Sequence, residues 1–180
     1  TTHYLDWAAS AIPDKDILLS SARNALELHA NPSAGYGPGR AARASLENSR
    51  KSMSETLGTG HGSLIFTSGG TESDTIPLGS LLQEGNPSLV ISGIEHAAID
   101  AQATRLERLG IRTTRIRPEP DGCVDPQKVA DAVCKDTVMV AVMTVNNETG
   151  AIQPVDRIVN LVRQARSEEH TSELQSRITI

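Results

Sequence analysis

The chain has 180 residues, 38% of them hydrophobic and 22% charged, which lies inside the globular range, outside the disordered and membrane-embedded classes, and is enough for one domain-sized core. Net charge is −5, and the 17 basic residues are scattered without a basic run or an aromatic ladder, which argues against a nucleic-acid surface. No apolar run approaches the roughly 20 residues that span a bilayer, and Thr1 to Asp6 has neither a basic n-region nor an apolar h-region, so no membrane partner is expected and the sequence reads as soluble and cytoplasmic.

Taken in chain order, Pro13 and Asp14 give a helix start, and Ile17, Leu18, Ala22, Ala25 and Leu26 share one helical face up to His29. Asn31 to Gly39 holds three glycines and two prolines and is expected to be a loop. Helical spacing returns from Arg40 to Leu57, where Gly58 and Gly60 end it. From Leu64 the rhythm changes to short apolar runs alternating with amphipathic stretches. Leu64 to Thr67, Leu89 to Ser92 and Val138 to Met143 read as strands buried on both faces. Helices are expected near Thr71 to Gln83, Ile99 to Leu109, Pro126 to Cys134 and Pro154 to Arg166, the third with Asp125 as N-cap and Pro126 at N1. This alternation predicts an α/β fold, a mainly parallel sheet with helices on both faces.

With 2% aromatic residues, the core must rest on Leu, Ile, Val and Ala. Cys123 and Cys134 show no CxxC spacing and no nearby histidine cluster, so neither a zinc site nor a redox pair is suggested and no metal is expected. Cys134 is placed on the apolar side of its helix as a small core residue, and Cys123 follows a Pro120-Asp121-Gly122 turn.

Ligands of such sheets bind beyond the carboxyl ends of the strands, which directs attention to three loops. Ser68-Gly69-Gly70-Thr71-Glu72-Ser73 has the outline of a phosphate cradle, because two glycines precede a helix start and let backbone amides approach an anion. A plain glycine turn with Ser68 or Thr71 as N-cap would fit the same residues. Gly93-Ile94-Glu95-His96-Ala97 places a histidine at a helix start. Thr144 to Gly150 carries adjacent amides, Asn146 and Asn147, which suit either loop backbone or a ligand oxygen.

In this order the three loops, with Tyr4 to Ser10, Asn31-Pro32-Ser33 and Gly39-Arg40-Ala41-Ala42 before them, resemble the cysteine desulfurases and their class V aminotransferase relatives, up to about residue 165. The resemblance implies part of the large domain of a fold-type I pyridoxal 5′-phosphate enzyme. By it, Gly70 and Thr71 hold the cofactor phosphate, His96 stacks on the pyridine ring and Asn147 bonds the phenolic oxygen. It also implies L-cysteine as substrate, alanine as product, sulfur passed to an enzyme persulfide, iron–sulfur scaffold or other sulfur-acceptor partners, and a homodimer. Selenocysteine lyase is the sister activity. Gly70, Thr75, Thr144 and Tyr36 stand where many members carry alanine, asparagine, histidine and histidine. The family's Schiff-base lysine and persulfide cysteine fall beyond the matched stretch, and Lys15, Lys51, Lys128 and Lys135 stand in no such context, so this chain alone is expected to be inactive. Residues 167–180 depart from the family, and Ser167 to Ser176 equals a translation of a common sequencing adapter; it is expected to be an assembly artefact.

Overall fold

The computed structural model describes residues 3–59 and 64–169, the last three of them by backbone alone. It divides the chain into two compact units, Thr1–Phe66 and Thr67–Ile180.

The first unit holds two helices, α1 (Lys15–Glu27) and α2 (Gly37–Leu57). Asp14 starts α1 as expected: its carboxylate accepts from the amides of Asp16 and Ile17, both at 3.0 Å. No residue of α1 is buried. α2 starts three residues earlier than its spacing predicts, inside the segment expected to be a loop. Pro38 sits in the first turn, where its missing N–H costs nothing, and Gly39 is buried there. Gly58 closes α2 in the left-handed conformation, with φ 63°.

The second unit runs α3 (Gly70–Ser80), a 3₁₀ turn (Leu81–Gln83), β1 (Ser88–Ser92), α4 (Ala97–Arg108), β2 (Arg112–Ile116), α5 (Pro126–Asp131), β3 (Thr137–Ala141) and α6 (Val155–Glu169). Its three strands form a parallel sheet in the order β2-β1-β3. β1 is the middle strand, and all five of its residues are buried.

Alternation along the strands feeds two separate cores. Leu89, Ile91, Met139 and Ala141 point to one face, where they meet Leu78 and Leu81 after the start of α3 and Ala103 and Leu106 of α4. Val90, Val140, Val142 and Ile116 point to the other, against Val129 of α5 and Ile158 and Val162 of α6. Burying one such side chain contributes about 1.5–3 kcal/mol, so each face needs its helices. The predicted fold class, helices on both faces of a parallel sheet, is what these residues build, and the core is aliphatic as the composition requires.

Three local expectations are corrected. Leu64 to Thr67 is not a strand: it has no ladder partner among the described residues, and Ile65 and Phe66 are 67% and 45% exposed. An apolar run becomes a strand only where a neighbour takes its backbone bonds. Conversely, β2 reads Arg-Thr-Thr-Arg-Ile and gave no apolar signal. Among the described residues it pairs with β1 alone, and Arg115 leans onto α4 to pair with Asp100 and Glu107 and to reach Thr104 Oγ1 at 3.1 Å. Finally, α5 ends at Asp131, so Cys134 lies past the helix in a polar turn rather than in the core. Its half-buried thiol is held below its ordinary range chiefly by the Thr137 hydroxyl at 3.4 Å, with Ser88 and Arg112 beside it.

α6 continues through Glu169, three residues past the end of its apolar spacing. The rest of the suspected artefact, residues 170–180, lies outside the described residues. Among the described residues no helix is long and apolar enough to cross a membrane.

Candidate functional site

Chain geometry gathers the three loops at one end of the sheet. An 11-residue helix and a five-residue strand are each about 16–17 Å long, and α3 leads through its 3₁₀ turn into the amino end of β1. The start of α3 is thereby returned to the carboxyl end of β1. α4 begins at that same end, and Asp74 of α3 acts on the charge of Glu95 in the intervening loop. The loop after β3 joins them through hydrogen bonds given below.

At the start of α3, Gly69 occupies the N-cap position with no side-chain cap, so neither Ser68 nor Thr71 plays that part. The Glu72 carboxylate instead reaches back to the Ser68 amide at 2.6 Å and the Ser68 hydroxyl at 2.7 Å, and these bonds hold it below the usual carboxylate range. The Ser73 amide makes the first helical bond, to Gly69 O at 3.1 Å. Gly70 and Thr71 are left with amides, and Thr71 with a hydroxyl, that bond no described residue, and both residues are exposed. A Cβ added at Gly70 would meet nothing within 4 Å, so the alanine common in the family fits the same backbone.

His96 is the N-cap of α4. Its Nδ1 accepts from the Ala98 amide at 3.1 Å, which fixes the ring and, with one nitrogen used as acceptor, places the imidazole proton on Nε2. The ring is otherwise exposed.

The two neighbouring asparagines divide the alternatives that the sequence left open. Asn146 is buried at 8% exposure and serves the loop. Its Oδ1 accepts from the amides of Glu148 and Thr149 at 3.0 and 2.8 Å and from Thr149 Oγ1 at 3.0 Å. Its Nδ2 donates to Ile94 O at 2.9 Å, in the loop after β1. Gly150 closes the turn onto Asn146 O at 2.8 Å with φ 75°, a conformation that favours glycine. Asn147, one residue on, is exposed and bonds no described residue. Thr71, His96 and Asn147 therefore stand on adjoining loops at one end of one sheet, each with donor groups that bond no described residue.

Glu95 was passed over in the sequence, where it is only the residue before a histidine. Its Oε1 accepts from the Ser92 hydroxyl and from the Met143 amide at 2.8 Å. Burial pushes its carboxyl above the usual carboxylate range; the two hydrogen bonds pull the other way, and Asp74 adds to the rise. The folded state consequently holds this proton to higher pH than the unfolded chain does. The stability Glu95 contributes is full below the unfolded carboxyl's pKa, about 4.3, and is lost as pH rises from there through its folded value. Glu95→Gln should be more stable relative to the native chain at neutral pH than at about pH 4. Urea midpoints of the two proteins across that range test this, and a constant difference would refute it.

Cys123 belongs elsewhere. It is half-buried, donates to Ile152 O at 3.4 Å, and lines a cleft of ≈ 500 Å³ with Glu119, Val124, Asp125 and Gln153. The carboxylates there are already engaged, Glu119 with Lys128 and Asp125 as the cap of α5. Among the described residues no group of three or more His, Cys, Asp or Glu is placed to hold a metal.

An open parallel sheet covered on both faces, with two helix starts at its carboxyl end, makes the second unit an α/β protein of the class that binds ligands outside those strand ends. The aminotransferase class-V family profile matches residues 3–169. The chain is 30% identical over 176 residues to the cysteine desulfurase IscS of Dictyoglomus turgidum, covering 96% of this chain and 45% of that protein. It is 37% identical over 151 residues to a cysteine desulfurase of Cereibacter sphaeroides, covering 81% of this chain and 39% of that one. Among solved structures, a NifS-like protein superposes with TM-score 0.83 at 26% identity, over 89% of this chain and 45% of its own. SspA in complex with cysteine gives 0.81 at 29% identity, over 92% and 48%. The chain thus belongs to the aminotransferase class-V family of fold-type I pyridoxal-phosphate enzymes, and it spans less than half the length of these relatives.

Proposed function

We propose that this chain supplies the phosphate- and ring-binding loops of a cysteine desulfurase, the protein as a whole releasing alanine from L-cysteine and passing on its sulfur. The observation that carries this reading is the pair of amides at Gly70 and Thr71, with the Thr71 hydroxyl, that bond no described residue, on the same sheet end as His96 and Asn147. The cysteine desulfurases among the relatives support it.

The donor set fits pyridoxal 5′-phosphate. The start of α3 offers two N–H groups, a hydroxyl and the positive end of a helix to a phosphate dianion. His96, its ring fixed by the bond from Ala98, is a flat surface for a pyridine ring. The Asn147 amide is a donor for a phenolic oxygen, held at the tip of a loop that Asn146 keeps rigid. When bound, the cofactor supplies an electron sink for bonds made and broken at the amino acid's Cα and Cβ. The chain's own part is to bind and orient. In the whole protein the reading implies a homodimer and a sulfur-acceptor partner, with delivery to iron–sulfur clusters or thiolated products.

Pyridoxine 5′-phosphate, which keeps the phosphate and ring but cannot condense with lysines, is the probe. In equilibrium dialysis it should bind saturably. Thr71→Ala and Asn147→Ala should each weaken it about tenfold, the worth of one or two hydrogen bonds to a charged or polar ligand group. Absence of saturable binding, or native affinity in both variants, would remove the basis of the proposal.

A further inference from the structure

We infer that Glu95 and Asn146 are positioning residues, a reciprocal pair of hydrogen bonds that sets the His96 loop and the Asn147 loop as one unit. The inference rests on the reading of His96 and Asn147 given above and assigns a task to the residue immediately before each.

The two bonds run in opposite directions between the same two loops. From the loop after β1, Glu95 Oε1 accepts from the Met143 amide at 2.8 Å, at the end of the β3 run. From the loop after β3, Asn146 Nδ2 donates to Ile94 O at 2.9 Å. Each loop therefore gives one side chain and one backbone group to the other. Neither side chain is spent on its partner loop alone. Glu95 also takes the Ser92 hydroxyl at the end of β1, and Asn146 also holds the amides of Glu148 and Thr149. Each is anchored in its own loop and fastened across.

The chemistry of the two side chains is particular to this arrangement. At Asn146 one planar group must accept on one side and donate on the other, which an amide does and a carboxylate does not. At Glu95 only acceptance is required, at an oxygen that an amide could provide equally well. Asn146 is buried at 8% exposure and Glu95 is half-buried, so losing either leaves a partly shielded backbone group unpaired. His96 and Asn147 are each one residue from the fastening, and movement at the clamp passes to them directly.

The test compares Glu95→Ala, Glu95→Gln and Asn146→Asp with the native chain in two measurements. Amide hydrogen exchange of the unliganded protein should accelerate about tenfold in both loops, residues 94–98 and 144–150, in Glu95→Ala and Asn146→Asp, with the amides of Leu89 to Ile91 unchanged. Affinity for pyridoxine 5′-phosphate should fall about tenfold in the same two variants. Glu95→Gln should restore both readings to the native values. The inference is overturned if Glu95→Gln behaves like Glu95→Ala, if exchange changes in one loop only, or if both loops loosen while affinity stays native. Exchange is read without ligand, so a failed cofactor reading shows separately, in Thr71→Ala and Asn147→Ala. Should Glu95→Ala not fold, Asn146→Asp, which keeps the loop's acceptors and removes the Nδ2 donor to Ile94 O and Met143 Sδ, decides the matter.

Discussion

Replacing Leu89 by alanine is expected to lower the stability of the second unit by about 2–5 kcal/mol. Leu89 is 0% exposed in the middle strand and sits among Leu78, Leu81, Ala103 and Met139. Its neighbours belong to a strand pair and to two helices, so they cannot close on the space together. The truncation loses both the transfer energy of the side chain and the contacts around the void. Ile17→Ala in α1 is the matched comparison, because Ile17 is 68% exposed and should change stability by no more than about 0.5 kcal/mol. Urea unfolding followed by circular dichroism gives both values. A loss under about 1 kcal/mol for Leu89→Ala would contradict the two-faced core.

The second large effect is expected in the first unit, where Gly39→Ala should cost about 1–3 kcal/mol. A Cβ at this position would lie 2.7 Å from Ala34 O, 2.9 Å from Ala34 Cβ and 2.9 Å from Asn31 O. These are atoms of a turn that has little room to retreat. The Asn31 side chain holds the Ser33 amide at 2.8 Å, Asn31 O takes the Ala34 amide at 3.0 Å, and Arg43 of α2 reaches back to Pro32 O at 2.7 Å. Gly37→Ala, two residues earlier, meets nothing within 4 Å and should fall within about 0.5 kcal/mol of the native chain. Equal effects of the two substitutions would show that crowding is not the reason for glycine at 39.

The sequence carried β1, β3 and the helices because burial on both faces demands continuous apolar runs, and Leu89 to Ser92 and Val138 to Met143 are such runs. It did not carry β2. Its Arg115 is met by Asp100 and Glu107 of α4 in place of apolar side chains, so its apolar count says nothing. It overstated Leu64 to Thr67 because composition cannot report whether a pairing neighbour exists. Pro38 and Gly39 read as breakers, yet one stands where a helix tolerates proline and the other where only glycine clears the Asn31 turn.

At the site, the three loops were legible from glycine placement and helix starts, while the candidates Gly70, Thr71, His96 and Asn147 came from the family resemblance. Residue type alone did not separate Asn146 from Asn147, since the two are chemically identical; the resemblance chose Asn147, and the structure adds that Asn146 is buried and Asn147 exposed. Glu95 carried one unused sign: a carboxylate three residues after a fully buried strand, where charge has to be met by donors from somewhere.

The strand order also bears on how the molecule comes into being. The middle strand is synthesised first, and it finds β2 only 24 positions later, as in Leu89 beside Thr113. Leu78, Leu81, Leu89, Ile91, Ala103, Leu106 and Ile111 all lie ahead of β2, so most of one side of the sheet can gather while the remainder, including Met139 and Ala141 of that side, is still to be made. The opposite side depends on Val124, Val129, Val133, Val140, Ile158 and Val162, which arrive afterwards. At about 5–20 residues per second, Val90 and Ile116 stay uncovered for several seconds of translation, and that valine-rich side is where a nascent chain is open to capture by chaperones or by its neighbours.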